Sequence, residues 1–163
     1  MKKLIVILAL VLAVVFSANA QEGDSEFFAG YSYFRGDLDA NFNGFNLAYT
    51  RFLGNKVGFT SELSRLYCPE EDARVVTYLF GPRYVVNRQG AVSPFVHALV
   101  GGGSLNVRSS NANGFAFALG GGIDIKLSKR VSFRAFQVDY LPIRLSGETF
   151  QNGRVSAGVS FKF

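Results

Sequence analysis

Arg154-Val155-Ser156-Ala157-Gly158-Val159-Ser160-Phe161-Lys162-Phe163, the last ten residues, set the reading of the whole chain. The odd-numbered positions are all apolar and the even-numbered ones all polar or small. A strict period of two puts the two sets on opposite faces of a β-strand. The strand runs to an aromatic last residue, where chains ordinarily fray into a polar tail. Its backbone needs a partner and its apolar face needs a cover. The first strand of the chain is the expected partner, and lipid the expected cover.

The same period recurs upstream. Residues 26–35 put Phe27, Ala29, Tyr31 and Tyr33 on one parity. Further alternating segments cover 45–52, 57–67, 76–86, 93–108, 115–127 and 131–142. With the terminal strand this makes eight, and no segment has a helical period. Pro82 falls within the fourth and costs it one ladder bond. In the fifth, the apolar parity changes across Gly101-Gly102-Gly103, which predicts a bulge there. In the seventh, the parity slips near Phe136. Gly54-Asn55-Lys56, residues 87–92 and Ser128-Lys129-Arg130 read as tight turns. Residues 36–43, 68–73, 109–113 and 143–153 read as longer loops. Short turns at one rim and longer loops at the other describe an up-and-down meander.

The N-terminus is a separate unit. Lys2 and Lys3 precede an apolar run from Leu4 to Phe16, and Ala18-Asn19-Ala20 is a small-x-small cleavage site. The apolar run is too short for a spanning helix, which needs about 20 residues. Residues 1–20 are therefore expected to be a signal peptide cut after Ala20, and residues 21–163 a single exported domain. Without Lys2 and Lys3 the net charge falls from +5 to +3. The remaining basic residues are scattered, so no nucleic-acid partner is expected. Cys68 is the only cysteine, which excludes an internal disulfide, and it is expected as a free surface thiol in a loop.

Alternation alone does not say which face points out. A soluble lipocalin-like barrel also has eight strands, with its apolar face around a ligand. Residue size decides between them. One face carries Gly, Ala, Ser and Thr with isolated charges: Glu26, Glu62, Arg83, His97, Asp124, Lys126, Arg134, Asp139 and Arg154. Small residues with a few charges suit the narrow lumen of an eight-stranded barrel. The other face is Phe, Tyr, Leu, Val and Ile almost throughout, a continuous belt that water does not tolerate. In lipid every backbone polar group must be paired internally, which a closed barrel achieves. Charged residues make up only 18% of the chain, consistent with that apolar demand. The expected fold is all-β, an eight-stranded antiparallel up-and-down transmembrane β-barrel.

In this pattern the chain resembles the small bacterial outer-membrane β-barrels, including OmpA-like transmembrane domains. The resemblance rests on the signal peptide, the eight alternating segments, Tyr78-Leu79-Phe80-Gly81-Pro82-Arg83-Tyr84 and the closing strand from Val155 to Phe163. It implies residence in the bacterial outer membrane. It further implies that Val155, Val159, Phe161 and Phe163 form the C-terminal signal read by the barrel assembly machinery. Many OmpA-like proteins add a periplasmic peptidoglycan-binding domain. The sequence here stops at the barrel, so that activity is not expected.

No catalytic constellation is expected. His97 is the only histidine, and a hydrogen-bonded lumen residue is its simplest reading. With no second histidine and no clustered carboxylates, neither a zinc site nor any cofactor is expected. The Gly101–Gly103 and Gly120–Gly122 runs lack the strand-to-helix context of phosphate loops. Glu70-Glu71-Asp72 reads as a solvated loop before it reads as a cation site. Glu62, Asp124 and Asp139 facing Arg83, Lys126, Arg134 and Arg154 predict an ion-pair network, because buried charges must be paired. Such a network plugs the lumen. The alternative is a small porin-like channel whose lumen charges set selectivity. A non-enzymatic, monomeric barrel in contact with outer-membrane lipid, with a structural or surface-interaction role, is the expected function.

Overall fold

Alternation is carried into the backbone as ten strands. The computed structural model describes residues 25–36, 41–69, 72–107, 110–145 and 148–163. The strands are β1 (Ser25–Gly36), β2 (Asn41–Phe52), β3 (Val57–Cys68), β4 (Ala73–Val85), β5 (Val92–Val107), β6 (Ser110–Lys126), β7 (Val131–Tyr140), β8 (Ile143–Leu145), β9 (Glu148–Phe150) and β10 (Asn152–Lys162). Strands β1 to β7 pair antiparallel in chain order, β10 pairs with β7, and β10 returns to β1. The eight long strands thus close a barrel. The closing seam runs from Gly36 opposite Asn152 to Glu26 opposite Lys162 without a register shift. Reciprocal backbone bonds between Ser25 and Phe163, at 3.0 and 3.1 Å, carry it to the last residue. The predicted partnership of first and last strands is realised.

Side-chain burial follows the parity. Along β3 every second residue from Gly58 to Cys68 is buried, and every intervening one from Val57 to Tyr67 is exposed. The outward set forms a continuous apolar belt that includes Phe59, Leu63, Tyr78, Phe115, Leu119, Val138 and Phe161, each about half exposed. Tyr33, Tyr67, Tyr84 and Tyr140 are exposed toward the strand ends, and Tyr31 is exposed in the middle of β1.

Three expectations about local structure are corrected. The glycine run at 101–103 contains no bulge: β5 keeps one register with β4 and with β6 throughout. The apolar parity changes there because the interior changes. Leu105 and Val107 point inward onto a buried apolar cluster that includes Phe34, Phe42, Leu66, Val75, Leu79 and Leu99. On the outside, the Tyr78 ring occupies the space that a side chain at Gly102 would need. The bulge of this barrel lies in β7, where its pairings with both β6 and β10 shift by one residue around Ala135. That is the slip expected near Phe136.

Among the described residues, parts of all four segments read as long loops are strand. Asn41–Asn43 belong to β2, Cys68 to β3, Ala73 to β4 and Ser110–Asn113 to β6. Beyond Tyr140 the chain steps through Leu141-Pro142 and resumes as the β8–β9 hairpin. Ile143, Arg144 and Leu145 pair there with Ala116, Phe115 and Gly114 of β6. Pro142 cannot donate to the ladder, which places the break. Leu141, Ile143 and Leu145 are buried and complete the apolar cluster at the loop end.

Cys68 is also corrected. It continues the inward parity of Leu66 at the end of β3 and is 1% exposed, inside the cluster. A maleimide is expected to label Cys68 at least about tenfold more slowly in the folded barrel than in urea, since burial hides the thiolate. Equal rates, read by mass spectrometry, would place the thiol at the surface.

Candidate functional site: the charged lumen

The inward parity brings ionisable side chains from seven strands into the half of the barrel nearer the turns. Two clusters form. In the first, Arg83 of β4 donates through Nη1 to Glu26 Oε1 at 2.8 Å and through Nη2 to Asp124 Oδ2 at 2.6 Å. Arg134 of β7 donates through Nε to Asp124 Oδ1 at 2.7 Å and through Nη2 to Glu26 Oε1 at 3.1 Å. Two guanidiniums and two carboxylates thus alternate around a ring.

In the second cluster, Arg154 of β10 donates through Nε and Nη2 to Asp139 Oδ2 at 2.9 and 2.6 Å. Its Nη2 also lies 2.5 Å from Glu62 Oε1. Asp139 Oδ1 is 2.7 Å from His97 Nε2.

Gln137 joins the clusters. Its Oε1 accepts from Arg134 Nη1 at 2.8 Å, and its Nε2 donates to Asp139 Oδ2 at 2.8 Å. The β7 bulge makes this possible. Uninterrupted alternation after Arg134 would turn Phe136 and Val138 inward. The extra residue at Ala135 turns Gln137 and Asp139 inward instead, beside Arg134.

Gly120 serves the second cluster in a similar way. It stands between His97 on β5 and Asp139 on β7 in the ladder. A side chain there would collide with the Asp139 carboxylate, so glycine opens the path across β6 by which His97 reaches it.

Every member of both clusters is at most 5% exposed. Burial of these charges is sustainable because each carboxylate has a cationic partner. Aromatic rings complete the surroundings: Arg83 lies 3.8 Å from the Phe95 ring centroid, and Arg134 lies 4.1 Å from that of Phe28. These contacts add cation–π attraction in a desolvated setting. Hydroxyl pairs between neighbouring strands line other parts of the interior, with Thr50 and Thr60 at 2.8 Å and Ser64 and Thr77 at 2.6 Å.

Of the residues expected in a charge network, Glu62, Arg83, Asp124, Arg134, Asp139 and Arg154 lie together. Lys126 does not. It shares the parity of Asp124 but stands at the end of β6, exposed, with no ion pair among the described residues. Glu26, read in the sequence only as a polar-face residue, is a full member of the first cluster, and its parity with Phe28 marks it as inward. Gln137, Phe28 and Phe95 were not anticipated. The slip near Phe136 was the available signal for Gln137. The two rings contradict the expectation of a lumen of small residues, and the guanidiniums stacked on them give the reason.

His97 hydrogen-bonds to Asp139, and no serine, threonine or cysteine hydrogen-bonds to it among the described residues. Of the acidic run at 70–72, Glu70 and Glu71 lie outside the described residues, and Asp72 accepts from the Tyr67 hydroxyl at 3.2 Å. Val155, Phe161 and Phe163 face outward and are exposed, and Val159 is half-buried. Ala18 and Ala20 lie outside the described residues.

No family profile and no curated protein matches the chain. Solved structures do. Neisserial surface protein A (NspA) aligns with a TM-score of 0.71 at 16% identity, covering 85% of this chain and 96% of that one. The N-terminal β-barrel domain of Pseudomonas aeruginosa OprF aligns with a TM-score of 0.60 at 14% identity, covering 88% and 100%. Ail, the attachment invasion locus protein of Yersinia pestis, aligns with a TM-score of 0.57 at 20% identity, again over 88% and 100%. At these identities the likeness is one of fold. The strand count, the closing seam and the near-complete coverage of each neighbour agree: this chain has the fold of the small eight-stranded outer-membrane β-barrels.

Proposed function

We propose that the protein is a non-enzymatic barrel of the bacterial outer membrane, plugged along its lumen, with a structural or surface-interaction role. The observation that carries this reading is the pairing of an outward apolar belt with an inward set of buried, mutually paired charges. In water the belt would drive aggregation. In a bilayer it meets lipid tails, and the closed ladder leaves no strand edge there. The charge clusters and the apolar cluster beyond them occupy successive levels of the lumen, which supports a plug over a conducting pore.

On this reading residues 1–20 are a signal peptide cut after Ala20. The strand ending at Phe163 is presented to the assembly machinery through Val155, Val159, Phe161 and Phe163. The barrel works as a monomer in contact with outer-membrane lipid. The neighbours lend the surface role some support: Ail is named for attachment and invasion, and one of its structures holds the heparin analogue sucrose octasulfate. By analogy of fold, the loop end of this barrel faces outward from the cell.

Cell fractionation combined with electrophoresis before and after boiling tests the proposal. The expected result is recovery in the outer membrane with heat-dependent migration, the behaviour of a closed barrel. Recovery of folded protein in the soluble periplasm would overturn it and favour the ligand-binding barrel.

A further inference from the structure

Charge is distributed unequally between the two ends of the barrel. The turn end carries Lys56, Arg88, Lys129 and Arg130 in its three turns, with Lys126 and Lys162 as the last residues of β6 and β10. Arg51 adds one more cation, facing outward near the end of β2. Among the described residues the acidic side chains at this end are Glu26 and Asp124, both buried against Arg83 and Arg134. Each is paired with both of these arginines inside the barrel. Glu22 and Asp24, which precede β1 in the sequence, and the terminal carboxylate do not reverse the balance. The loop end is mixed by contrast, since its connections hold Asp37, Asp39, Glu70, Glu71 and Asp72 beside its arginines.

The ring is also held at a defined level. Arg88 lies 3.7 Å from the Phe52 ring centroid and donates to the Gly54 carbonyl, which ties the β4–β5 turn to the β2–β3 turn. Lys56 directly precedes Val57, which pairs with Tyr84 at the margin of the apolar belt. The cations therefore lie just beyond the belt, where the headgroups of a leaflet surrounding it would be.

We infer that this ring is a binding surface for anionic phospholipid headgroups of the leaflet at the turn end. The inference rests on the membrane reading above. Basic residues clustered beside an anionic lipid surface attract it, and the attraction is screened by salt. Phosphodiester headgroups match lysine and arginine donors in charge and hydrogen bonding. Lys56, Lys126 and Lys129 stand exposed at this rim, open to such headgroups.

The test uses the refolded protein in phosphatidylcholine vesicles containing about a third phosphatidylglycerol. Electron paramagnetic resonance of spin-labelled phosphatidylglycerol and phosphatidylcholine reports which lipid associates with the barrel. Phosphatidylglycerol is expected to be enriched roughly fivefold, and the enrichment to fall with added salt. The triple variant Lys56→Gln, Lys126→Gln, Lys129→Gln changes only exposed side chains, and its enrichment is expected to drop at least about twofold. Equal association of the two lipids with a heat-modifiable barrel would overturn the inference and leave the membrane reading intact. Undiminished enrichment in the triple variant would assign the preference elsewhere on the barrel. Retention on sulfated dextran without lipid preference would assign the ring to a soluble polyanion. A protein that stays folded and soluble outside both vesicle types would defeat the membrane reading, and the inference with it.

Discussion

Arg154→Ala is expected to destabilise the folded barrel by about 3–5 kcal/mol, the largest effect of any single lumen substitution. Arg154 is fully buried and touches both Glu62 and Asp139. Its removal leaves two carboxylates in a desolvated interior. Asp139 keeps His97 and Gln137 as partners. Glu62 keeps only a 3.5 Å approach from Gln137 Nε2. The measurement is urea unfolding in vesicles, with unboiled electrophoretic migration reporting the folded fraction. Adding Glu62→Gln to the variant should recover part of the loss, because it removes the carboxylate left with the weakest compensation. The double-mutant cycle then isolates the coupling between the two residues. A loss below about 1 kcal/mol would mean that water reaches the second cluster and that the lumen is not dry there.

Val138→Arg is expected to cost about 2–4 kcal/mol, measured the same way. Val138 faces outward between Gly121 of β6 and Val155 of β10, in the apolar belt and away from both rims. Inside a bilayer the new guanidinium has no partner within reach. On a soluble barrel the same position would be ordinary exposed surface, where substitutions usually fall within ±0.5 kcal/mol. The size of the effect therefore separates a lipid-facing belt from a water-facing one. Lys126→Ala, at the exposed end of β6, serves as a near-neutral comparison.

Much of this architecture was readable from the chain because one face of each strand differs so strongly from the other. The period of two in Arg154–Phe163 was enough to place Arg154 inside and Phe161 outside, and both are so placed. Eight of the lumen residues could be assigned to the inward face from the sequence, Glu26 and His97 among them. What parity could not give was depth. Lys126 and Asp124 share a face, but one lies beyond the rim and the other in the first cluster. The same limit hid the second interior environment. Leu105, Val107 and Cys68 have inward parity, yet without a measure of height their apolar character looked like a bulge in one case and a surface thiol in the other. The extent of the strands past the belt, and the β8–β9 hairpin that closes over Ala116, depend on pairing with β6. Residues 143–150 have too few alternations to announce that pairing. Gln137 was recoverable in principle, since a slip near Phe136 implies that Gln137 and Asp139 share the face of Arg134.

The lumen clusters join seven strands of the barrel, and on the proposed reading they also close it. Gly120 illustrates how local sequence serves that arrangement: it forfeits side-chain packing in the middle of β6, and the space gained lets His97 and Asp139 meet across it. Four buried carboxylates, three arginines and one histidine then form a set in which no acid lacks a basic neighbour.

Single-channel recording in planar bilayers tests the central claim, a lumen sealed by paired charges. The detergent-folded protein is expected to give no steady conductance above the bare bilayer. Steady single-channel currents whose ion selectivity changes on reversing the charge of Arg83 or Glu62 would contradict it, and would make the barrel a small pore.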